Sequence, residues 1–307
     1  MNILIAGATG LIGQRLLPVL LDQGHHITVL TRNKTKAGSH LELENHNIVI
    51  TDYKSGWNSN IDVVINLAGS PVTRSWTRKQ RARIVNSRLL STDYIYIRCL
   101  QNKIKPKLWL TISATGYYHD DKGRVLDESS VCVDGGFLFR TCEKIEKNSQ
   151  KVANIVERHC ILRIGLVMDK KHGFLSKLLP LYRKHLGGRI GNGRQYLPWI
   201  HISDVIGAID FIIRNQGCRG IYNLSAPEPC RQKDFSKVLS KALGKANPLV
   251  IPKFAVRLFL RQQNELLLNN QNVIPARLLE AGYVFRYPHL DQAISDLVSA
   301  GDPESQL

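Results

Sequence analysis

Short apolar runs alternate with longer helical patterns through the first half of the chain. Ile3 to Ala6 is bounded by polar residues and reads as a buried strand. A helical pattern then runs from about Leu11 to Gln23 and stops at Gly24. Further strands are expected at Ile27 to Leu30, Asn47 to Ile50, Asp62 to Leu67, Leu108 to Ile112 and Cys160 to Ile164. A long helix, Arg-rich at its start, is expected from Thr77 to Gln101, and another around Phe137 to Lys151. Apolar strands alternating with helices predict an α/β fold, a doubly wound parallel sheet of Rossmann type covered on both faces.

The pattern changes after Val167. A glycine-arginine loop spans 187–194, and helical units follow near Lys233 to Leu243 and Lys253 to Leu268. A short helix from Pro275 closes at Gly282. The expected organisation is a dinucleotide-binding core over 1–167, to which later segments return. A smaller substrate-side lobe covers 168–300, with a distinct C-terminal piece at about 248–297, and 301–307 forms a polar tail.

The junction between the first strand and first helix carries the clearest chemistry. Gly7, Gly10 and Gly13 stand in a GxxGxxG spacing. At such a turn the first glycine permits the tight bend, the second lets backbone approach a pyrophosphate, and the third lets helix pack on strand. Thr9, Leu11 and Ile12 lie within the same turn, whose free N–H groups and positive helix end suit phosphates. At the end of the second strand, a carboxylate would hold the 2′-hydroxyl of NAD. Here that position reads Thr31-Arg32-Asn33-Lys34, without an acid and with two cations. A guanidinium grips a 2′-phosphate bidentately, so NADP(H) is the expected cofactor.

Composition narrows the rest. The 42 Lys and Arg against 25 Asp and Glu give a net charge of +17, which favours anionic ligands. The basic clusters lack interleaved aromatics or a known nucleic-acid motif, so a nucleic-acid partner is not expected. No run approaches a membrane-spanning length, and no membrane partner is expected. A cleavable leader is not expected either, because it would remove the first strand, and a cytoplasmic location follows. The six cysteines show no CxxC or zinc spacing; they read as reduced thiols, and no metal site is expected.

Several segments taken together resemble the extended and atypical short-chain dehydrogenase/reductases, in particular an epimerase family with its own C-terminal domain of unknown function. They are Gly7 to Gly13, Thr31-Arg32, Asn66 to Gly69, Ser87-Arg88, Ser113 to Tyr118, Leu162 to Gly165, Leu186 to Val205 and Ile274 to Tyr283. The resemblance implies that Asp52 meets the adenine amino group and that Leu67, Ala68 and Gly69 pass the ribose. It also implies that Val167 borders the nicotinamide. Arg88, four residues before Thr92, turns inward to the cofactor on this reading; a surface arginine is the alternative.

Most members of the superfamily use a YxxxK pair on the helix after the fifth strand. Aligned on Glu146, this chain has Leu138 and Cys142 there, so the usual proton relay is missing. The resemblance makes Ser113 the group that polarises a substrate oxygen. Tyr117 or Tyr118 could supply a phenol, with Arg140 or Lys144 as activator; a packing role for the tyrosine pair is the alternative. Cys142 reads as an inert core thiol. Trp199 and His201 are candidate substrate-pocket residues, although His201 could equally be a buried, hydrogen-bonded histidine. Asp204 reads as the cap of the following helix. The resulting expectation is an NADP(H)-dependent oxidoreductase or epimerase-like enzyme acting on a small carbonyl or hydroxyl substrate. The alternative is a non-catalytic NADP(H)-binding redox sensor or scaffold.

Overall fold

The computed structural model describes residues 1–41, 47–57, 60–73, 75–119, 122–246 and 249–299; the expected tail at 301–307 lies outside them. The chain divides into two compact units. Unit 1 combines Met1–Ser113, Arg140–Leu162 and Ile209–Tyr222. Unit 2 combines Ala114–Phe139, Arg163–Ala208 and the chain from Asn223 onward. The division is more interleaved than a cut near residue 167, because 114–139 belongs to unit 2 and 209–222 to unit 1.

Unit 1 is built on the parallel sheet. Its strands are β1 (Asn2–Ala6), β2 (His26–Thr31), β3 (Ile48–Asp52), β4 (Val63–Asn66), β5 (Leu108–Ala114), β6 (Arg158–Ile164) and a seventh, Gly220–Leu224. From one edge the order is β3, β2, β1, β4, β5, β6 and then the seventh strand. The order reverses beside β1, which sets a ligand crevice beyond the carboxyl ends of β1 and β4. Registers pair Ile5 with Val29 on one side and with Ile65 on the other. Ile3, Leu4 and Ile5 are fully buried, each contributing about 1.5–3 kcal/mol of transfer free energy.

The helices follow from local chemistry. The helix α1 (Leu11–Asp22) buries Leu16, Leu17 and Leu20. A short helix α2 (Lys34–Leu41), not anticipated from the sequence, fills the β2–β3 connection. The long helix α3 (Arg78–Gln101) starts at Thr77, whose side chain accepts from the Gln80 amide at 3.2 Å. One core joins Leu4, Leu30, Val64, Ile95 and Trp109. At the start of the helix α4 (Phe137–Ser149) the Glu265 carboxylate accepts from the Phe137 and Leu138 amides, both at 3.1 Å, placing negative charge at a positive helix end.

Unit 2 has three small sheets. Leu166–Met168 pairs in parallel with Trp199–His201, Gly188–Ile190 with Leu249–Ile251, and Tyr196–Leu197 antiparallel with Cys230–Arg231. Its core gathers Leu175, Leu179, Trp199, Phe235, Leu239, Ile294 and Leu297. The C-terminal helix Leu290–Ser299, like the strand Gly220–Leu224, was not anticipated. Asp204 is not the expected cap. It lies in the first turn of the helix Ile202–Arg214, 1% exposed, and accepts from the Tyr283 hydroxyl and from the Arg286 and Tyr287 amides. The carboxylate thereby ties the C-terminal segment to unit 2.

Among the described residues no helix is long and apolar enough to cross a membrane. His159 on β6 shares a 3.0 Å hydrogen bond with Thr111 of β5, and burial pulls its pKa from 6.5 down to about 4. The folded state therefore resists a proton that the unfolded chain accepts below about pH 6.5. Stability supplied by this group is full above pH 6.5 and falls as pH drops toward 4. Urea unfolding across that range should show the loss, and His159→Gln should flatten it; an unchanged slope would contradict the assignment.

Candidate functional site

The turn from β1 into α1 is shaped by contacts that only glycine permits. Gly7 has φ +84°, and a Cβ there would lie 2.7 Å from the Leu67 carbonyl carbon. A Cβ on Gly13 would lie 2.5 Å from the Ala8 Cα. The loop is thus pressed against the ends of β4 and of its own strand. The Gly10 amide donates to the Gly7 carbonyl at 3.0 Å, and Gln14 donates to the Thr9 carbonyl at 3.2 Å. No side chain caps α1, and no acid stands in its first turn. Leu11, Ile12 and Gly13 therefore begin a helix whose positive end is suited to an anion.

Beyond β2 and β3 a cleft of about 700 Å³ is lined by Arg32, Asp52, Tyr53, Ser87, Ser91 and Tyr94, among others. Arg32 is exposed there, and the Thr31 hydroxyl stays local, 3.4 Å from the Asn33 amide. Asp52 accepts from the Ser55 and Lys54 amides at 2.7 and 3.0 Å, with Lys34 at 3.8 Å. The Ser55 amide chiefly holds its carboxyl below the usual range. The Tyr53 hydroxyl lies 3.1 Å from Ser91 Oγ, and burial pushes this phenol up.

At the end of β4, Asn66 accepts from Ser91 and donates to Thr92, each at 3.0 Å, and it also accepts from the Ala68 amide. Arg88 turns inward from α3. A Cβ on Gly69 would lie 2.7 Å from its Cζ. Its Nη1 donates to the Ser70 and Ile84 carbonyls at 3.2 and 2.8 Å, and burial lowers its pKa. Both of these hydrogen bonds go to carbonyl oxygens. The side chain is half-buried, and a partly desolvated cation held by carbonyls is available to be shared by a ligand.

Farther along, Ser113 at the end of β5 donates to Glu146 Oε1 of α4 at 2.7 Å, both buried. Glu146 aligns the missing pair in the sequence; its place one turn after the core-assigned Cys142 was the signal for a buried role. Cys142 is 3% exposed, in keeping with a core thiol. Leu138 packs on Gly116, 3.0 Å from where a Cβ would stand.

Unit 2 alters three expectations. Tyr118 is fully buried; its hydroxyl donates to Asn223 Oδ1 at 2.9 Å and accepts from Arg163 at 2.8 Å. Burial pushes this phenol to about 12, so Tyr118 is a structural tyrosine closed to substrate. Tyr117 is half-buried, with the Arg163 guanidinium stacked 3.5 Å over its ring. Arg163 was missed as a functional candidate, although a lone arginine inside the apolar strand Cys160 to Ile164 was the available signal. Trp199 is fully buried, donating to the Glu228 carbonyl at 3.2 Å. His201 is 2% exposed, accepts from the Ser203 amide at 3.1 Å, faces Asp296 at 3.3 Å and stacks on Tyr287. Both are core residues rather than pocket walls, and burial lowers the histidine's pKa. Val167 is half-buried in the strand paired with Ile200.

This fold and glycine turn define a nucleotide-binding protein of the extended short-chain dehydrogenase/reductase class. Residues 3–136 match the NAD dependent epimerase/dehydratase family, and 251–297 match a domain of unknown function. An epimerase family protein of Staphylococcus aureus (strain MRSA252) is 34% identical over 302 residues, spanning 96% of this chain and 98% of its own. The epimerase family protein YfhF of Bacillus subtilis (strain 168) is 32% identical over 97% of this chain and 98% of its own. The chain belongs to the epimerase family. The crystal structure of human epimerase family protein SDR39U1 with NADPH superposes with a TM-score of 0.86 at 27% identity, over 98% of this chain and 100% of that one. UDP-glucuronic acid 4-epimerase from Bacillus cereus, in complex with UDP-glucuronic acid and NAD, shares the fold at 19% identity. Its TM-score is 0.75, over 97% of this chain and 98% of that one.

Arg88 gives a test that separates ligand binding from structure. Arg88→Met should change urea stability little, because partial desolvation of the half-buried cation offsets its two carbonyl hydrogen bonds, while NADPH affinity falls about 10-fold or more. Reduced stability with unchanged affinity would make Arg88 a structural residue.

Proposed function

We propose that this chain is an NADP(H)-dependent oxidoreductase or epimerase-like enzyme acting on a small carbonyl or hydroxyl substrate. The observation that carries the cofactor reading is the exposed Arg32 at the end of β2, in a cleft where Asp52 is already engaged by backbone amides and Lys34. Arg32 would hold the 2′-phosphate, the uncapped turn at Gly7 to Gly13 the diphosphate, and Leu67 to Gly69 the ribose. That the human relative was crystallised with NADPH agrees with this choice.

When bound, the dinucleotide would supply a hydride donor or acceptor. The chain's own part is binding, orientation and proton handling. Arg88 would provide a half-buried cation in the absence of the usual lysine. Ser113, held by Glu146, orients a substrate oxygen. Within unit 2, Tyr117, stacked under Arg163, is the phenol of the tyrosine pair that stays partly exposed, since Tyr118 is fully buried.

A second reading, a redox sensor or scaffold that binds NADP(H) without turnover, is favoured by one observation. The positions of the usual tyrosine and lysine hold the buried, chemically quiet Leu138 and Cys142.

Two measurements test these readings. Calorimetric titration should show NADPH preferred over NADH, with Arg32→Asp reversing the preference by about 100-fold. Equal affinity for both cofactors in the parent chain would remove the NADP assignment. With C4-deuterated NADPH and a carbonyl panel, deuterium should enter a product, and Ser113→Ala should cut kcat about 100-fold. Tight binding with no transfer to any carbonyl would favour the sensor.

A further inference from the structure

Unit 2 contains an apolar cavity of about 250 Å³ at which four elements converge. They are the helix Leu175–Arg183, the strand Gly188–Ile190, the strand Leu249–Ile251 and the helix Lys253–Leu260. Leu178, Leu181, Leu186, Ile251, Ala255 and Val256 are among its walls. Its polar groups are internally engaged: the Tyr182 hydroxyl donates to Ser236 at 2.9 Å, and Gln232 donates to the Gly188 carbonyl at 3.1 Å. His185 reaches the Ala246 carbonyl at 2.8 Å, tying the loops that flank the paired strands.

The outer surfaces of these elements are apolar as well. Leu181, Leu186, Leu249, Val250, Phe254 and Leu258 are 44, 54, 43, 53, 71 and 70% exposed. Phe254 and Leu258 lie one helical turn apart and share a face. Single exposed apolar residues are ordinary, but six on adjoining elements mark an interaction surface.

Charge selects the partner. The sequence has no Asp or Glu between Asp169 and Asp204, a stretch with seven Lys and Arg. It has none between Asp234 and Glu265, a stretch with six. These acid-free stretches supply all four elements. Lys177, Lys184, Arg189, Lys253 and Arg257 are exposed on or beside them. Cations around protruding leucine and phenylalanine match an anionic bilayer, where apolar side chains enter the acyl boundary and ammonium or guanidinium groups meet phosphates. A two-fold contact with a second copy would set the two cationic rims against each other. A nucleic acid would attract the cations but leave the leucines wet.

We infer that this face of unit 2 adsorbs to an anionic lipid surface, with Phe254 and Leu258 entering the interfacial layer. The adsorption is peripheral. The expectation of no membrane partner rested on the lack of a spanning segment, which adsorption does not need. The inference is independent of the cofactor and of turnover, and it gives a use for part of the +17 charge.

The test is co-sedimentation of the full chain with vesicles of phosphatidylcholine alone and of phosphatidylcholine mixed with phosphatidylglycerol. Binding should require phosphatidylglycerol and weaken with salt. Phe254→Asp combined with Leu258→Asp should reduce it about 10-fold or more, while NADPH titration and circular dichroism remain those of the parent chain. Lys253→Glu with Arg257→Glu should reduce it as well. No binding to the mixed vesicles would overturn the inference. So would binding that the Phe254/Leu258 variant leaves unchanged, since charge alone would then explain it. A concentration-dependent dimer in the parent chain that this variant dissociates would also overturn it, by assigning the face to a second copy.

Discussion

The approach of the β1–α1 turn to the end of β4 is the constraint on which the nucleotide site depends. Gly7 has its backbone where a side chain would strike Leu67, and Gly13 lets α1 descend onto Ala8. The same close fit aims the first turn of α1 beyond the carboxyl end of the sheet and keeps it free of a capping side chain. Binding surface and sheet packing are therefore one feature. A substitution that loosens the turn removes the packing and the anion site together.

Around that turn, unit 1 keeps its cations where a phosphorylated ligand would share them. Arg32 is exposed in the cleft beyond β2, whereas Arg88 is drawn inside against Gly69 and two carbonyls. The contrast with Arg163 in unit 2 is instructive. That guanidinium is fully buried, bonded to Tyr118 and stacked on Tyr117, so its charge serves to order the tyrosine pair. Two inward-turned arginines with different partners do different work, and residue type alone does not separate them.

The parts legible in the sequence are those fixed by neighbours along the chain. Apolar runs located the first six strands, and glycine spacing located the turn. Thr77 and Gly24 bounded their helices. What the sequence misread depends on partners far away. Trp199 looked like a pocket residue, yet it is fully buried and its indole is taken up by the Glu228 carbonyl; of the two readings open for His201 the buried one holds, with Tyr287 and Asp296 against the ring. Tyr118 looked like a candidate acid, yet Arg163 and Asn223 take up its hydroxyl. Asp204 was assigned to its own helix, while its acceptors serve the backbone at Arg286 and Tyr287. The inward turn of Arg88 could be argued from the chain because its place four residues before Thr92 matches a spacing of the family it resembles.

A crystal structure of the chain grown with NADPH tests the central claim most directly. The account predicts the diphosphate over the first turn of α1, hydrogen-bonded by the Leu11 and Ile12 amides, with the 2′-phosphate against Arg32. Density for the dinucleotide elsewhere, or none at saturating NADPH, would contradict it.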